Sequence, residues 1–171
     1  MLFAGLWLNQ IASGAQTFRC PSMRIAVFSD THDRLPVGLA ECFSAGAADE
    51  IWHLGDVCEP GRLVEFEQLG VPLFVVRGNC DWEARWPLSL TLERGGLRFY
   101  LTHIPPSPRE VPRGTHAVLH GHTHQPRDEV FGGFRWLNPG SASQPRGGSR
   151  AGFAWLEIEG GRLTRWERVA I

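Results

Sequence analysis

The chain has 171 residues, 43% hydrophobic and 20% charged, with 20 Gly and 12 Pro, a length suited to one globular domain that buries its own core. Its 17 basic and 18 acidic residues leave a formal charge of −1, which excludes the electrostatic footprint of a protein that wraps duplex nucleic acid or an anionic membrane. Every basic residue is Arg and none is Lys, so Schiff-base aldolases, pyridoxal-phosphate enzymes and P-loop NTPases are excluded with the missing amine.

Residues 1–22 carry an apolar run from Leu2 to Leu8, but their first charge is Arg19, and a secretory leader would have a basic segment ahead of such a run. We expect 1–22 to be a poorly ordered extension and 23–171 to be a single domain starting at Met23. Cys20, Cys42, Cys58 and Cys80 show no C-x-x-C spacing, and we read them as free thiols of a cytoplasmic protein. No apolar stretch approaches the roughly 18 residues of a membrane span.

From Met23 onward, branched apolar runs alternate with helically spaced segments. Strands are expected at 24–28, 50–54 and 72–76, with a helix over 37–46 and a second opened by Pro60 and ended by Gly70. That β-α-β-α-β order implies parallel strands. Beyond Gly78 the helical spacing fades, and strands are expected at 89–92, 97–101, 117–119, 134–137, 153–156 and 163–166, with hairpin turns at 93–96 and 159–162. Residues 105–114, with four prolines, form the one long irregular loop. Two packed sheets with helices outside are the implied architecture.

Polar residues gather where the strands stop: Asp30-Thr31-His32, Gly55-Asp56, Gly78-Asn79-Cys80-Asp81, Thr102-His103 and Gly121-His122-Thr123-His124. Carboxyl ends of neighbouring strands in an open α/β sheet lie side by side, where ligands bind. Oxygen and imidazole donors of this kind suit Mn²⁺, Fe²⁺, Ni²⁺, Zn²⁺ or Mg²⁺. The donors are too many for one ion, and two ions sharing a carboxylate fit the count, with Asp56 in its Gly-Asp turn as the natural bridge. His53, His116 and His120 lie in or beside strands and are set aside as ordinary hydrogen-bonded histidines.

The series Asp30-x-His32, Gly55-Asp56, Gly78-Asn79-x-Asp81, His103 and Gly121-His122-x-His124 resembles the calcineurin-like metallophosphoesterases. The later Asn138-Pro139-Gly140-Ser141-Ala142-Ser143-Gln144-Pro145-Arg146 is similar to the closing signature of their small prokaryotic branch, the YfcE/MJ0936-type phosphodiesterases. The resemblance implies a four-layer α/β/β/α sandwich of two mixed sheets, the metallo-dependent phosphatase-like fold. It also implies a centre of two divalent metal ions, with Mn²⁺ the first choice. One metal would take Asp30, His32, Asp56 and His124, and the other Asp56, Asn79, His103 and His122. A hydroxide bridging the ions would attack the phosphorus of a small organic phosphodiester in line with the leaving oxygen. Arg77 and the Asn79 amide are placed to hold the non-bridging oxygens, the alternative for Arg77 being a structural ion pair near the sheet end.

Three departures bear on function. Cys80 stands where many relatives in the wider superfamily have a His general acid. The Asp-Arg-Gly that follows the Gly-Asp turn in protein phosphatases is missing after Asp56. The segment between Asn79 and His103 is short, leaving little room for a helix, so Trp82 and Trp86 are expected to pack over the exposed core, the alternative being stacking on a substrate ring. Two other readings compete: a phosphomonoesterase of the same mechanism, and a non-catalytic interaction scaffold like the retromer subunit Vps29, which resembles the same branch. A small phosphate ester is the expected partner, with no duplex nucleic acid and no membrane; self-association is left open.

Overall fold

The computed structural model describes residues 22–82 and 85–171; the expected extension over 1–22, including Cys20, lies outside them except for Ser22. The chain enters through β1 (Met23–Phe28), runs through helix α1 (Leu39–Ala45) to β2 (Glu50–His53), and passes a 3₁₀ turn (Pro60–Leu63) and α2 (Val64–Glu67) to β3 (Leu73–Val75). The rest is strand and loop: β4 (Ser89–Arg94), β5 (Leu97–Thr102), β6 (Ala117–Leu119), β7 (Arg127–Phe131), β8 (Phe134–Asn138), β9 (Gly152–Glu159) and β10 (Arg162–Ala170).

These strands form two five-stranded mixed sheets, in the orders β10-β9-β1-β2-β3 and β4-β5-β6-β8-β7. The expected parallel opening is present, since β1 pairs in parallel with β2 and β2 with β3. β1 and β2 read as near-continuous apolar runs because both of their faces are covered. Ile25, Val27 and Trp52 point into the core between the sheets with Phe99, Leu101, Leu119 and Leu137, while Ala26, Phe28 and Ile51 point outward under Phe43 and Phe66 of the helices. Glu50 fastens the sheets together from the edge, accepting from Trp52 Nε1 at 2.9 Å and Arg94 Nε at 2.6 Å.

Several boundaries differ from expectation for local reasons. α1 starts at Leu39 because Gly38 sits at φ +82, a left-handed conformation that cannot continue a helix. β7 has no counterpart in the sequence reading, since as an exposed edge strand it shows charge instead of apolar alternation. Its best signal was Gly132-Gly133, at φ +60 and +86, which turns β7 back into β8 as a type I′ hairpin. Over the outer face of the second sheet, the described residues place no helix. That layer is formed by the loop over 105–114, whose Val111 packs with Val118 and Trp136. Trp86 packs against the helix-side core, as expected. Trp82 does not: it is 94% exposed.

Candidate metal centre

The loops that leave β1, β2 and β3 are held to one another by backbone hydrogen bonds before any side chain is considered. Asp30 N–H donates to the Gly55 carbonyl (3.0 Å) and His32 N–H to the Asp56 carbonyl (3.0 Å). The Asp81 carboxylate accepts from three backbone donors, Gly78 (2.6 Å) and Asp56 (3.1 Å) on Oδ2 and Cys58 (2.7 Å) on Oδ1, stitching the β2 loop to the β3 loop. Gly78 makes this approach possible: a Cβ there would collide with the backbone and Oδ1 of Asp56. From the other side, Ser141 and Ser143 hydroxyls donate to the Asp30 carbonyl at 2.7 and 3.0 Å.

Five residues among the expected ligands adopt left-handed backbone: Asp30 (φ 55), His32 (43), Asp56 (59), His122 (67) and His124 (58). Non-glycine residues pay about 1 kcal/mol or more each for this conformation. The turns are therefore set by the position each side chain must reach, against local preference.

All seven expected ligand side chains reach one site. One donor atom each from Asp30, His32, Asp56 and His124 lies within 4.8 Å of the others. His124 Nε2 is 3.2 Å from both His32 Nε2 and Asp30 Oδ1, and His32 Nε2 is 3.6 Å from Asp56 Oδ2. On the other side of Asp56, Oδ2 lies 3.3 Å from His103 Nε2. Asn79 Oδ1 lies 3.0 Å from that nitrogen and 2.8 Å from His122 Nδ1. Asn79 is oriented by its amide N–H on Cys80 Sγ, 3.4 Å away.

The tautomers make this an acceptor cluster. His124 Nδ1–H donates to the Gln144 carbonyl (2.6 Å) and His103 Nδ1–H to the Leu54 carbonyl (2.8 Å), so in each neutral ring Nε2 presents a lone pair to the site. Lone pairs facing carboxylate oxygens and one another hold together only with positive charge among them, from protons or a metal cation. The electrostatics of the site agree. The Asp30 carboxylate raises His124. Burial opposes ionisation of His103, yet Asp56 and Asp30 raise it. Burial likewise pushes the Asp56 carboxyl up, but His103 and the Cys80 N–H hold it well below the usual range. The donor set fits a pair of divalent cations sharing Asp56.

The remaining histidines have other partners. His116 Nδ1 accepts from Arg98 N–H (2.9 Å), and His53 Nδ1 from Gly55 N–H (3.0 Å). His120 Nε2 accepts from Arg127 Nη1 at 3.3 Å. Burial lowers both His53 and His120 to about 4. The unfolded chain binds those protons below about 6.5, so the stability these neutral rings confer is complete above that pH and falls as pH drops toward 4. In urea titrations, His120→Gln should lessen the loss of stability over that window; an unchanged pH slope would show that His120 charges freely in the fold.

Arg77 lines a groove of about 490 Å³ with Gly78, Asn79, Asp81, Leu88, Thr102, His103 and Ile104. Its backbone N–H donates to the Pro87 carbonyl (2.8 Å). Asp81, Ser141, Ser143 and Gln144 are the positioning residues to which the sequence reading gave no role. Their signal was their place inside the two quoted motifs.

A family model described as the calcineurin-like phosphoesterase superfamily domain matches residues 23–161. The chain belongs to that superfamily. It is accordingly a hydrolase of the phosphoesterase class, and its curated relatives are of the same small branch. A probable metallophosphoesterase of Methanothermobacter thermautotrophicus is 34% identical, the match covering 70% of this chain and 77% of the relative. The solved phosphoesterase YfcE of E. coli superposes with a TM-score of 0.67 at 28% identity, over 78% of this chain and 88% of that one. A zinc-complexed Vps29 of Entamoeba histolytica gives 0.69 at 21% identity, over 86% of this chain and 98% of that one; at that identity the likeness is of fold alone.

Proposed function

We propose that this member of the superfamily is a divalent-metal-dependent phosphodiesterase acting on small organic phosphodiesters. One cation would be held by Asp30, His32, Asp56 and His124, the other by Asp56, Asn79, His103 and His122, with Mn²⁺ the first choice for this mixture of oxygen and imidazole donors. When bound, such a pair lowers the pKa of a water molecule and neutralises charge that builds on the phosphoryl oxygens. The carrying observation is the set of Nε2 and carboxylate acceptors converging from both sides of Asp56.

The chain's own residues do the rest. Asp56 spans the two halves of the site, its Oδ1 fixed by the Cys80 N–H at 2.7 Å. Arg77 lines the groove beside Asn79, and a guanidinium can pair with a non-bridging oxygen through parallel N–H donors. The groove's volume suits the organic arm of a small ester. Non-catalytic scaffolding of the Vps29 kind would not need seven intact donors, and this chain has them all.

The test is metal removal. Exhaustive chelation should abolish hydrolysis of an aryl phosphodiester, and Mn²⁺ should restore it; full turnover after removal would sink the reading. Leaving-group dependence tests Cys80. Burial and the Asp56 carboxylate raise the Cys80 thiol above its ordinary value, which makes it a poor proton donor near neutrality, so Cys80→Ser should cost less than about tenfold with an aryl ester. A dependence on leaving-group pKa that steepens only in Cys80→Ser would establish the thiol as the proton donor.

A further inference from the structure

Beside the His32 ring lie two thiols that the phosphoesterase reading does not use as ligands. Cys58 follows Asp56 by two positions in the β2 loop, and Cys80 follows Asn79 in the β3 loop. Cys58 Sγ is 3.7 Å from His32 Nδ1, and one donor atom each of His32, Cys58 and Cys80 lies within 4.8 Å of the other two. Both cysteines are pinned by their backbones, Cys58 N–H on Asp81 Oδ1 and Cys80 N–H on Asp56 Oδ1, each at 2.7 Å.

A tetrahedral site with metal–sulfur bonds of about 2.3 Å and metal–nitrogen bonds of about 2.0–2.1 Å separates its donor atoms by roughly 3.5–3.8 Å. The Cys58–His32 pair already has that spacing, and the Cys80 sulfur, within 4.8 Å of the Cys58 sulfur, needs to close about 1 Å at most to reach it on that side. This set is also chemically unlike its neighbour: two sulfurs and one imidazole select a soft cation, where carboxylates and an amide oxygen select a harder one. The two sets share His32, and a neutral imidazole has one lone pair. With its proton on Nδ1 the ring serves the carboxylate side, and with its proton on Nε2 it serves the thiols.

We propose that Cys58, Cys80 and His32 Nδ1 form a site for a thiophilic divalent cation, Zn²⁺ or Cd²⁺, whose filling withdraws His32 from the harder centre. Binding breaks the two S–H bonds and forms two metal–sulfur bonds, with both protons going to solvent and no change in oxidation state. The competition rests on His32 serving the first cation in the proposed metal centre; the thiolate site itself does not.

The experiment titrates Cd²⁺ into the full chain carrying Cys20→Ser and Cys42→Ser, leaving Cys58 and Cys80 as the only thiols, and follows the ultraviolet thiolate-to-cadmium charge-transfer band. The band should saturate at one Cd²⁺ per chain and lose at least about half its amplitude when Cys58→Ser or Cys80→Ser is added. Saturating Mn²⁺ should weaken the apparent Cd²⁺ affinity by about tenfold or more. Absence of the band, or a band indifferent to both serine variants, would overturn the site. A band that persists unchanged in saturating Mn²⁺ would overturn the withdrawal of His32. None of these readouts depends on ester hydrolysis, so failure of the phosphodiesterase reading is seen separately, and two independent serine variants guard against one that fails to fold.

Discussion

Asp56→Asn is expected to lower kcat/KM for an aryl phosphodiester by more than about a hundredfold, because groups that merely orient metal ligands are already worth about 10- to 100-fold. The substitution is isosteric, and its Oδ1 can still accept the Cys80 N–H that fixes Asp56, so the loop should keep its course. What changes is the other side-chain atom. Oδ2 faces both His103 and His32, and an amide N–H in its place would donate to those nitrogens and occupy the lone pairs a cation needs. In the proposed pair of cations sharing Asp56, both should leave together, which metal analysis of the purified variant would read directly. Retention of two ions with near-normal turnover would remove Asp56 from the shared position.

Asp81→Asn is expected to destabilise the fold by about 3 kcal/mol, since a carboxylate accepting three backbone N–H groups, two of them buried, is exchanged for an amide that presents one oxygen and adds a donor. Asp56, Gly78 and Cys58 supply those N–H groups, and at least one of them would face an N–H in place of an acceptor. The loss should appear as a lower urea midpoint with an unchanged m value. Turnover should fall as well, by about tenfold or more, because Asp56 and Asn79 sit on the two loops that Asp81 joins. A midpoint equal to wild type would mean that water replaces the clamp.

The parallel opening was legible because β1 and β2 are covered on both faces, which leaves runs such as Ile25-Ala26-Val27-Phe28 that alternation cannot obscure. β7 was not legible, because an edge strand with exposed Asp128, Glu129 and Val130 has no periodic face to declare it. The seven expected ligand positions stood out as polar residues placed just past apolar runs, and the structure brings all seven together. The partners that aim them were hidden for a physical reason. Leu54 and Gln144 act through backbone carbonyls, which any residue type supplies, and Asp81 acts through main-chain donors that carry no sequence identity. Trp82 was misjudged on size, since a large apolar ring is a prior for burial and nothing in the neighbouring sequence signalled its exposure.

The left-handed turns have an evolutionary corollary. Asp30, His32, Asp56, His122 and His124 hold strained backbone, and together that strain amounts to about 5 kcal/mol, on the scale of a whole domain's stability. Glycine at any of them would relieve the strain, less about 0.5–1 kcal/mol for its own entropy. Selection for chemistry is thus the force that keeps side chains at these positions. A descendant that abandoned the chemistry should drift toward glycine first at His32 and His122, because the side chains of Asp30, Asp56 and His124 also hold backbone groups of neighbouring loops. The identity of the residue at each left-handed turn is therefore a gauge, readable from sequence alone, of whether a protein with this fold is still held to its chemistry.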